Sequence, residues 1–216
     1  MNEFKTILEK TISAEIVEKK SRFIANLFYV ESLDEAEEKI KEIKKKYHDA
    51  KHNCFAYLIF KDNNISKKFS DDGEPSGTAG APMLEILEKN NLYNVVVIVT
   101  RYFGGILLGT GGLVRAYSYS LKKAISKCTI VTQECGYEVQ VKLSYSDFEK
   151  FKYYCNKKCI NIINSTYSDT VICNVELSEI EKKCLMKDIQ EENNFNILQF
   201  DIIRQKNIAV VSNLVD

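Results

Sequence analysis

The distribution of glycine constrains the fold of this chain more than any other feature of its sequence. Eight of the nine glycines lie between Gly73 and Gly112, and both prolines, Pro75 and Pro82, fall in the same stretch. Glycine adopts backbone conformations that other residues avoid, and loops with special backbone geometry often carry function. The sequence therefore predicts two loops of unusual geometry set among regular helices and strands.

Helices and strands are predicted around these loops. Residues 11–25 alternate as strand, turn and strand, and the β-branched run from Val95 to Thr100 is typical of a central strand that is covered on both faces. Ser32 and Glu35 form a capping box at the start of a helix. A second helix is predicted after Gly112, because apolar residues recur there every three or four positions.

From residue 137 onward the apolar pattern predicts the element order β-α-β-β-α-β. This order matches the ferredoxin-like split unit, in which two helices cover one face of an antiparallel sheet. A length of 216 residues is enough for two small domains. The predicted fold class is therefore α+β, with an N-terminal domain at residues 1–132 and a ferredoxin-like domain at residues 133–216.

Composition favours a cytoplasmic protein. Neither an apolar run long enough to span a bilayer nor a signal peptide is found, and seven scattered cysteines suit a reducing compartment. Residues 1–130 carry 20 Lys and Arg against 17 Asp and Glu, whereas residues 131–216 carry 10 against 13. This asymmetry permits a local basic surface for nucleic acid but does not by itself predict one.

The first glycine-containing loop is acidic. Asp71, Asp72 and Glu74 are three carboxylates within four residues, which could hold Mg²⁺ through oxygen ligands, although their spacing is not that of an EF-hand. Alternatively, the aspartates shape turns by accepting backbone N–H bonds. Either interpretation fits the sequence.

The second loop follows the predicted central strand and is bordered by arginines. A strand that leads through glycines into a helix can present backbone N–H groups to an anion. Nucleotide-binding fingerprints fail here, because Thr110 occupies the position of the phosphate-binding lysine and Val114 that of the third small residue. Arg101, Tyr102 and Arg115 could bind phosphates and stack on unpaired bases, or Arg101 could be a structural arginine buried against the acidic loop.

A hydrolytic site is the competing hypothesis. Cys54 or Ser76 could act as a nucleophile with His52 as the base and Asp71 or Asp72 as the orienting group. No Gly-x-Ser-x-Gly elbow is present, so an enzyme is the less favoured interpretation. No cofactor is expected.

Four ordered blocks resemble the YigZ family, the bacterial relatives of the eukaryotic Impact protein. They are residues 21–25 (Ser-Arg-Phe-Ile-Ala), 52–57 (His-Asn-Cys-Phe-Ala-Tyr), 71–82, and 97–117, with Arg-Tyr-Phe-Gly-Gly at the centre of the last. The resemblance implies an N-terminal domain with the fold of the second domain of ribosomal S5-type proteins. It also implies a C-terminal domain similar to the ferredoxin-like domain of elongation factor G.

Both analogies point to translation. Impact regulates translational initiation. Some family members carry a peptidase label, but this sequence offers no recognisable set of catalytic residues for that activity. The predicted partner is therefore RNA, or a protein of the ribosome or a translation factor. The predicted binding residues are Arg22, His52, Asp71, Asp72, Glu74, Arg101, Tyr102, Gly104, Gly105, Gly109, Gly111, Gly112 and Arg115, with the two loops side by side.

Overall fold

The structure, a computed structural model, describes residues 3–61, 64–190 and 195–209. Its contacts divide the chain into two compact units, Glu3–Val131 and Thr132–Asp216. Within the described residues there are two antiparallel sheets and five helices, which confirms the predicted α+β class. Each helix among the described residues falls short of the length and hydrophobicity that a bilayer-spanning helix needs.

The N-terminal unit is built around an antiparallel sheet in the order β2-β3-β6-β4-β5. Its elements are β1 (Glu3–Ile7), β2 (Thr11–Glu18), β3 (Ser21–Tyr29), α1 (Leu33–Lys46), β4 (His52–Lys61), β5 (Asn64–Ser70), α2 (Gly80–Lys89), β6 (Val95–Tyr102) and α3 (Gly109–Ile125).

The central strand β6 is buried on both faces, as its β-branched sequence predicts. Val95, Val97 and Val99 face a core shared with α2 and α3, whereas Val96 and Ile98 face a second core shared with α1. Each such side chain contributes roughly 1.5–3 kcal/mol when fully buried. This three-layer arrangement fixes β6, and with it the loop that follows.

The predicted capping box begins α1. The backbone N–H of Glu35 donates to the Ser32 hydroxyl at 3.2 Å, and the Glu35 carboxylate accepts the N–H of Glu31 at 2.9 Å. Lys44, Lys45 and Lys46 lie in the last turn, where cations complement the negative end of the helix dipole. The helix packs on the sheet through Ala36, Ile40 and Ile43.

The C-terminal unit has the predicted β-α-β-β-α-β order. Its elements are β7 (Ile130–Leu143), α4 (Tyr145–Lys157), β8 (Asn161–Tyr167), β9 (Val171–Ser178), α5 (Glu179–Gln190) and β10 (Ile197–Ala209), with strand order β10-β7-β9-β8. The two outer bounds differ from the sequence prediction, because β7 begins seven residues earlier and β10 ends six residues later. These added ends pair with each other, from Gln133 with Ala209 to Tyr137 with Gln205. Backbone pairing extends strands through polar residues that the apolar pattern does not detect.

Candidate functional site

The two loops emerge from the same end of the N-terminal sheet. β5 ends at Ser70, directly before the acidic loop (residues 71–80), and β6 ends at Tyr102, directly before the glycine loop (residues 103–112). Because β5 and β6 both pair antiparallel with β4, they run in the same direction. Both loops therefore start at the same end of the sheet, where β5 and β6 terminate.

Asp71 organises the acidic loop and caps α2. Its Oδ1 accepts the N–H groups of Ala79 at 3.0 Å and Gly80 at 2.8 Å, and its Oδ2 accepts that of Gly77 at 2.8 Å. Ala79, at the N-cap of α2, has no side chain that could cap the helix, so Asp71 satisfies these donors from the other end of the loop. At Gly80 a Cβ would lie 2.8 Å from the backbone of Ser70.

Asp72 connects the loop to α1 and β4. Its Oδ2 accepts the backbone N–H of Asn53 at 2.7 Å, and its Oδ1 lies 2.7 Å from Nζ of Lys44. Nδ1 of His52 lies 2.9 Å from the Asp72 carbonyl oxygen. Since that oxygen can only accept, Nδ1 of His52 carries the proton in this contact. The two aspartates thus shape the loop, as the turn interpretation predicts.

Glu74, in the acidic loop, forms a buried ion pair with Arg101, near the end of β6. The NH1 group of Arg101 donates to Oε1 of Glu74 at 2.7 Å, and the side chains are 7% and 3% exposed. The Tyr117 hydroxyl, from α3, donates to the same oxygen at 2.8 Å. The Arg101 guanidinium lies between the rings of Phe23 and Phe103, 5.6 and 5.5 Å from their centroids.

Arg101 is therefore a structural arginine in this conformation, one of the two roles that the sequence allowed. Burial removes it from direct contact with phosphate, because its charge is already balanced by Glu74. Its Nε has no hydrogen-bond partner among the described residues. Sequence reasoning missed Tyr117, because its helical spacing predicts only a core position. The signal that could have found it is its hydroxyl, which needs a polar partner when the ring is buried.

The proposed nucleophile Cys54 is poorly suited to that role. Burial raises the pKa of its thiol to about 12, and the carboxylates of Glu74, Asp72 and Asp71 add to this effect. Its Sγ donates to the Asp71 carbonyl oxygen at 2.9 Å. Because the thiolate is the reactive form, a thiol held neutral at physiological pH is not an activated nucleophile.

The acidic loop does not present a shared set of oxygen ligands. Asp71 accepts three backbone N–H groups, Asp72 contacts a lysine, and Glu74 is paired with Arg101. Within the described ranges, no group of three His, Cys, Asp or Glu side chains could hold a metal ion. The arrangement is that of a structural loop.

The glycine loop packs against the turn between β2 and β3. At Gly104 a Cβ would lie 2.0 Å from the backbone carbonyl carbon of Lys20, and the Gly104 N–H donates to the Ser21 hydroxyl at 3.1 Å. Gly105 and Gly109 have φ values of +85° and +71°, the left-handed region that favours glycine. The close approach at Gly104 brings the backbone of Lys20 directly beside the loop.

The other predicted residues lie on the surface around this loop. The Arg22 guanidinium lies 5.6 Å from the ring centroid of Tyr102 and forms two hydrogen bonds with Glu15, at 2.9 and 3.0 Å. The Tyr102 hydroxyl donates to Asp49 at 2.7 Å, and this contact raises the pKa of Tyr102. Arg115 is exposed and has no ion pair within the described part of the chain.

The first turn of α3 is the exposed continuation of the glycine loop. It includes Gly109, Gly111 and Gly112, its N-cap residue makes no side-chain cap, and it contains no acidic residue. A Cβ on Gly111 would lie 3.6 Å from NH1 of Arg115, so this guanidinium lies beside the exposed backbone. Unsatisfied N–H groups and a nearby cation favour anions at this end of the helix.

Comparison with known proteins places this architecture among its relatives. The Impact N-terminal domain family matches residues 19–125. The chain is 39% identical over 180 residues to the IMPACT family member YvyE of Bacillus subtilis, covering 83% of this chain and 82% of that protein. It is 36% identical over 160 residues to the IMPACT family member YigZ of Escherichia coli, covering 74% and 78%. A crystal structure described as that of a hypothetical protein matches with a TM-score of 0.60 and 28% identity, covering 98% of this chain and 99% of that one.

Proposed function

This chain belongs to the IMPACT family, and we propose that it is a translation-associated regulatory protein that binds RNA, with a role related to translational initiation. The N-terminal unit would have the fold of the second domain of ribosomal S5-type proteins. The C-terminal unit would be the ferredoxin-like domain, which its strand order β10-β7-β9-β8 supports. The domain boundary at residues 132 and 133 and the cytoplasmic location are part of the same proposal.

The observation that carries RNA binding is the packing of Gly104 against the Lys19–Lys20 turn. Lys20 lies in that contact, Lys19 and Arg115 line one pocket together with Gly112 of the first turn of α3, and Arg22 lies beside the Tyr102 ring. We name this surface the glycine-loop face. Cations around accessible backbone N–H groups, with the Tyr102 ring beside them, are the groups that bind phosphates and unpaired bases.

An RNA titration at two salt concentrations tests this function. If Lys19, Lys20 and Arg115 each neutralise one phosphate and Arg22 exchanges Glu15 for a fourth, affinity for a single strand should fall by about fiftyfold between about 50 mM and about 200 mM salt, since the slope is about −0.7 for each contact. A Lys20→Ala and Arg22→Ala double variant should show a smaller slope, whereas Lys45→Ala, an exposed lysine of α1, should not. Binding that does not depend on salt, or equal slopes for both variants, would contradict the proposal.

A protein of the ribosome or a translation factor is the second candidate partner. Phe103, Ile106 and Leu107 of the glycine loop are 54%, 42% and 81% exposed, an apolar cluster next to the cations. Apolar residues within a charged rim are typical of protein interfaces. Loss of a ribosome-bound fraction in sedimentation for Leu107→Ser, with RNA affinity unchanged, would favour this candidate.

The hydrolase alternative receives less support from the geometry. Each carboxylate of the acidic loop is engaged by donors of the protein, and burial keeps the Cys54 thiol neutral. His52 is held through Nδ1 against the Asp72 carbonyl oxygen. A peptidase assay on native protein and on His52→Ala tests this alternative. We expect neither protein to hydrolyse a peptide, and an activity that His52→Ala loses would support the hydrolase.

A further inference from the structure

A groove of about 590 Å³ lies beside the glycine-loop face, between the outer side of α3 and the end of β2. Small-molecule sites commonly have volumes of roughly 300–1,000 Å³. Ile16 and Val114 contribute to an apolar lining, and Lys19, Arg115 and Lys122 contribute cations. The groove is thus large enough for a ligand that combines an apolar ring with a negative charge.

Three groove residues follow one row of α3. Arg115, Tyr119 and Lys122 are separated by four and three positions, so their side chains lie above one another on the same side of the helix. Gly112, one turn before Arg115, adds no side chain to this row. The helix therefore presents a cation, an aromatic ring and a second cation in line, next to an open space.

Two lysines beyond the groove contact the backbone of β2. Nζ of Lys123, near the end of α3, lies 3.1 Å from the Glu15 carbonyl oxygen, and Nζ of Lys127, just after the helix, lies 3.0 Å from that of Ser13. Tyr119 precedes Lys123 by four positions, as Lys123 precedes Lys127. Tyr119 is 58% exposed, and within the described residues its hydroxyl has no hydrogen-bond partner.

The charges of the groove are not balanced by the protein itself. Lys19, Arg115 and Lys122 make no ion pair with any residue that the structure describes, and Glu18 is the one carboxylate in the lining. Three cations against one anion attract a negatively charged ligand. Because these side chains are already unpaired, a phosphate would not have to displace an internal partner.

The turn that supplies Lys19 has a strained backbone. Lys19 and Lys20 have φ values of +46° and +63°, although two-residue hairpin turns of this kind favour Asn and Gly. Left-handed conformations of ordinary residues cost on the order of 1–3 kcal/mol each, and they persist where the surroundings impose them. Pairing of Glu18 with Ser21 imposes this turn, Gly104 packs against its backbone at Lys20, and Lys19 lines the groove.

We infer that this groove binds one nucleoside phosphate unit, with the base stacked on Tyr119 and the phosphate between Arg115, Lys122 and Lys19. The unit can be a free nucleotide or one residue of an RNA strand. In the second case the inference rests on the proposed function and gives the glycine-loop face a defined base-binding position. Aromatic stacking accepts any base, so this subsite contributes affinity and little sequence preference.

Two titrations of the full-length protein test the inference. The first measures the fluorescence anisotropy of a labelled single-stranded RNA of about ten nucleotides, within the site sizes of single-strand binders. The second follows backbone amide signals by NMR during addition of adenosine 5′-monophosphate or of inorganic phosphate. The variants are Tyr119→Ala and Arg115→Ala, and the matched controls are Tyr153→Ala, an exposed tyrosine of α4, and Lys45→Ala.

We expect Tyr119→Ala to weaken RNA binding by about fivefold to about 150-fold, the range for one stacked base. Arg115→Ala should lower the salt slope by about 0.7. Both controls should bind like the native protein. Amide shifts at residues 112–122 should appear with adenosine monophosphate and disappear in Tyr119→Ala.

The outcomes separate this inference from the proposed function. RNA binding that Tyr119→Ala retains in full would overturn the base-binding position in the groove while leaving the proposed function in place, because Tyr119 is not part of the glycine-loop face. Nucleotide binding at Tyr119 without RNA binding would support the groove with a free nucleotide as the ligand, and would refute RNA binding. If inorganic phosphate alone produces the same shifts in native protein and in Tyr119→Ala, the base-binding position is overturned. If no ligand produces a response, both proposals are overturned.

Discussion

Replacing Gly104 by alanine should destabilise the N-terminal unit by preventing the glycine loop from reaching the β2–β3 turn. A Cβ at this position would lie 2.0 Å from the carbonyl carbon of Lys20, 2.2 Å from its oxygen and 2.4 Å from the nitrogen of Ser21. All three are backbone atoms, so no side-chain rotation can relieve the contact. Ordinary van der Waals contact begins near 3.4 Å, so one segment must move by more than 1 Å.

We expect a loss of about 3 kcal/mol, the upper end of the usual cost of overpacking, because two backbone segments must separate. Two neighbouring glycines provide matched controls. Gly105→Ala meets no atom within 4 Å but has a φ of +85°, and should cost about 1–2 kcal/mol. Gly111→Ala lies in α3 with ordinary φ, and should stabilise the protein by about 0.4–1 kcal/mol.

Urea unfolding followed by far-UV circular dichroism measures these differences, since the chain contains no tryptophan. Hydrogen exchange of peptides from residues 11–29 then shows whether the loss lies at the β2–β3 hairpin. A Gly104→Ala protein as stable as Gly111→Ala would refute the reasoning, because it would mean that the loop does not approach the turn. Equal losses for Gly104→Ala and Gly105→Ala would contradict the expected extra cost of separating two backbone segments, since only Gly105 has a positive φ.

Two further predictions concern buried groups. Arg101→Met should destabilise the protein by about 3–5 kcal/mol, because it leaves Glu74 buried without its cation, and adding Glu74→Gln should recover part of that loss in a double-mutant cycle of urea midpoints. Additive losses would show that the pair is not coupled. In alkylation with iodoacetamide at about pH 8, Cys159 and Cys184 should react first, because both are exposed to the reagent. Cys54, whose pKa burial raises to about 12, should stay unmodified until the fold opens, and mass spectrometry detects either order.

Local patterns in the sequence were sufficient for the elements that depend on near neighbours. The capping box at Ser32 and the helical spacing of α3 involve contacts three or four residues apart, and the continuous apolar run of β6 requires cover on both faces in any arrangement. The C-terminal element order was also readable, although the ends of β7 and β10 were not. Those ends exist through mutual backbone pairing, which side-chain patterns do not encode.

The positions of glycine and the apolar pattern were enough to show that backbone freedom is concentrated between Gly73 and Gly112, in a stretch that joins a buried strand to a helix. The roles of the charged residues in this stretch follow from the fold alone. Arg101 is buried in an ion pair with Glu74, whereas Arg115 is exposed beside the groove. Only glycine fits at position 104, because the backbone of Lys20 lies against it. A close approach or an ion pair between segments that are distant along the chain is fixed by the fold as a whole, and not by the residues on either side.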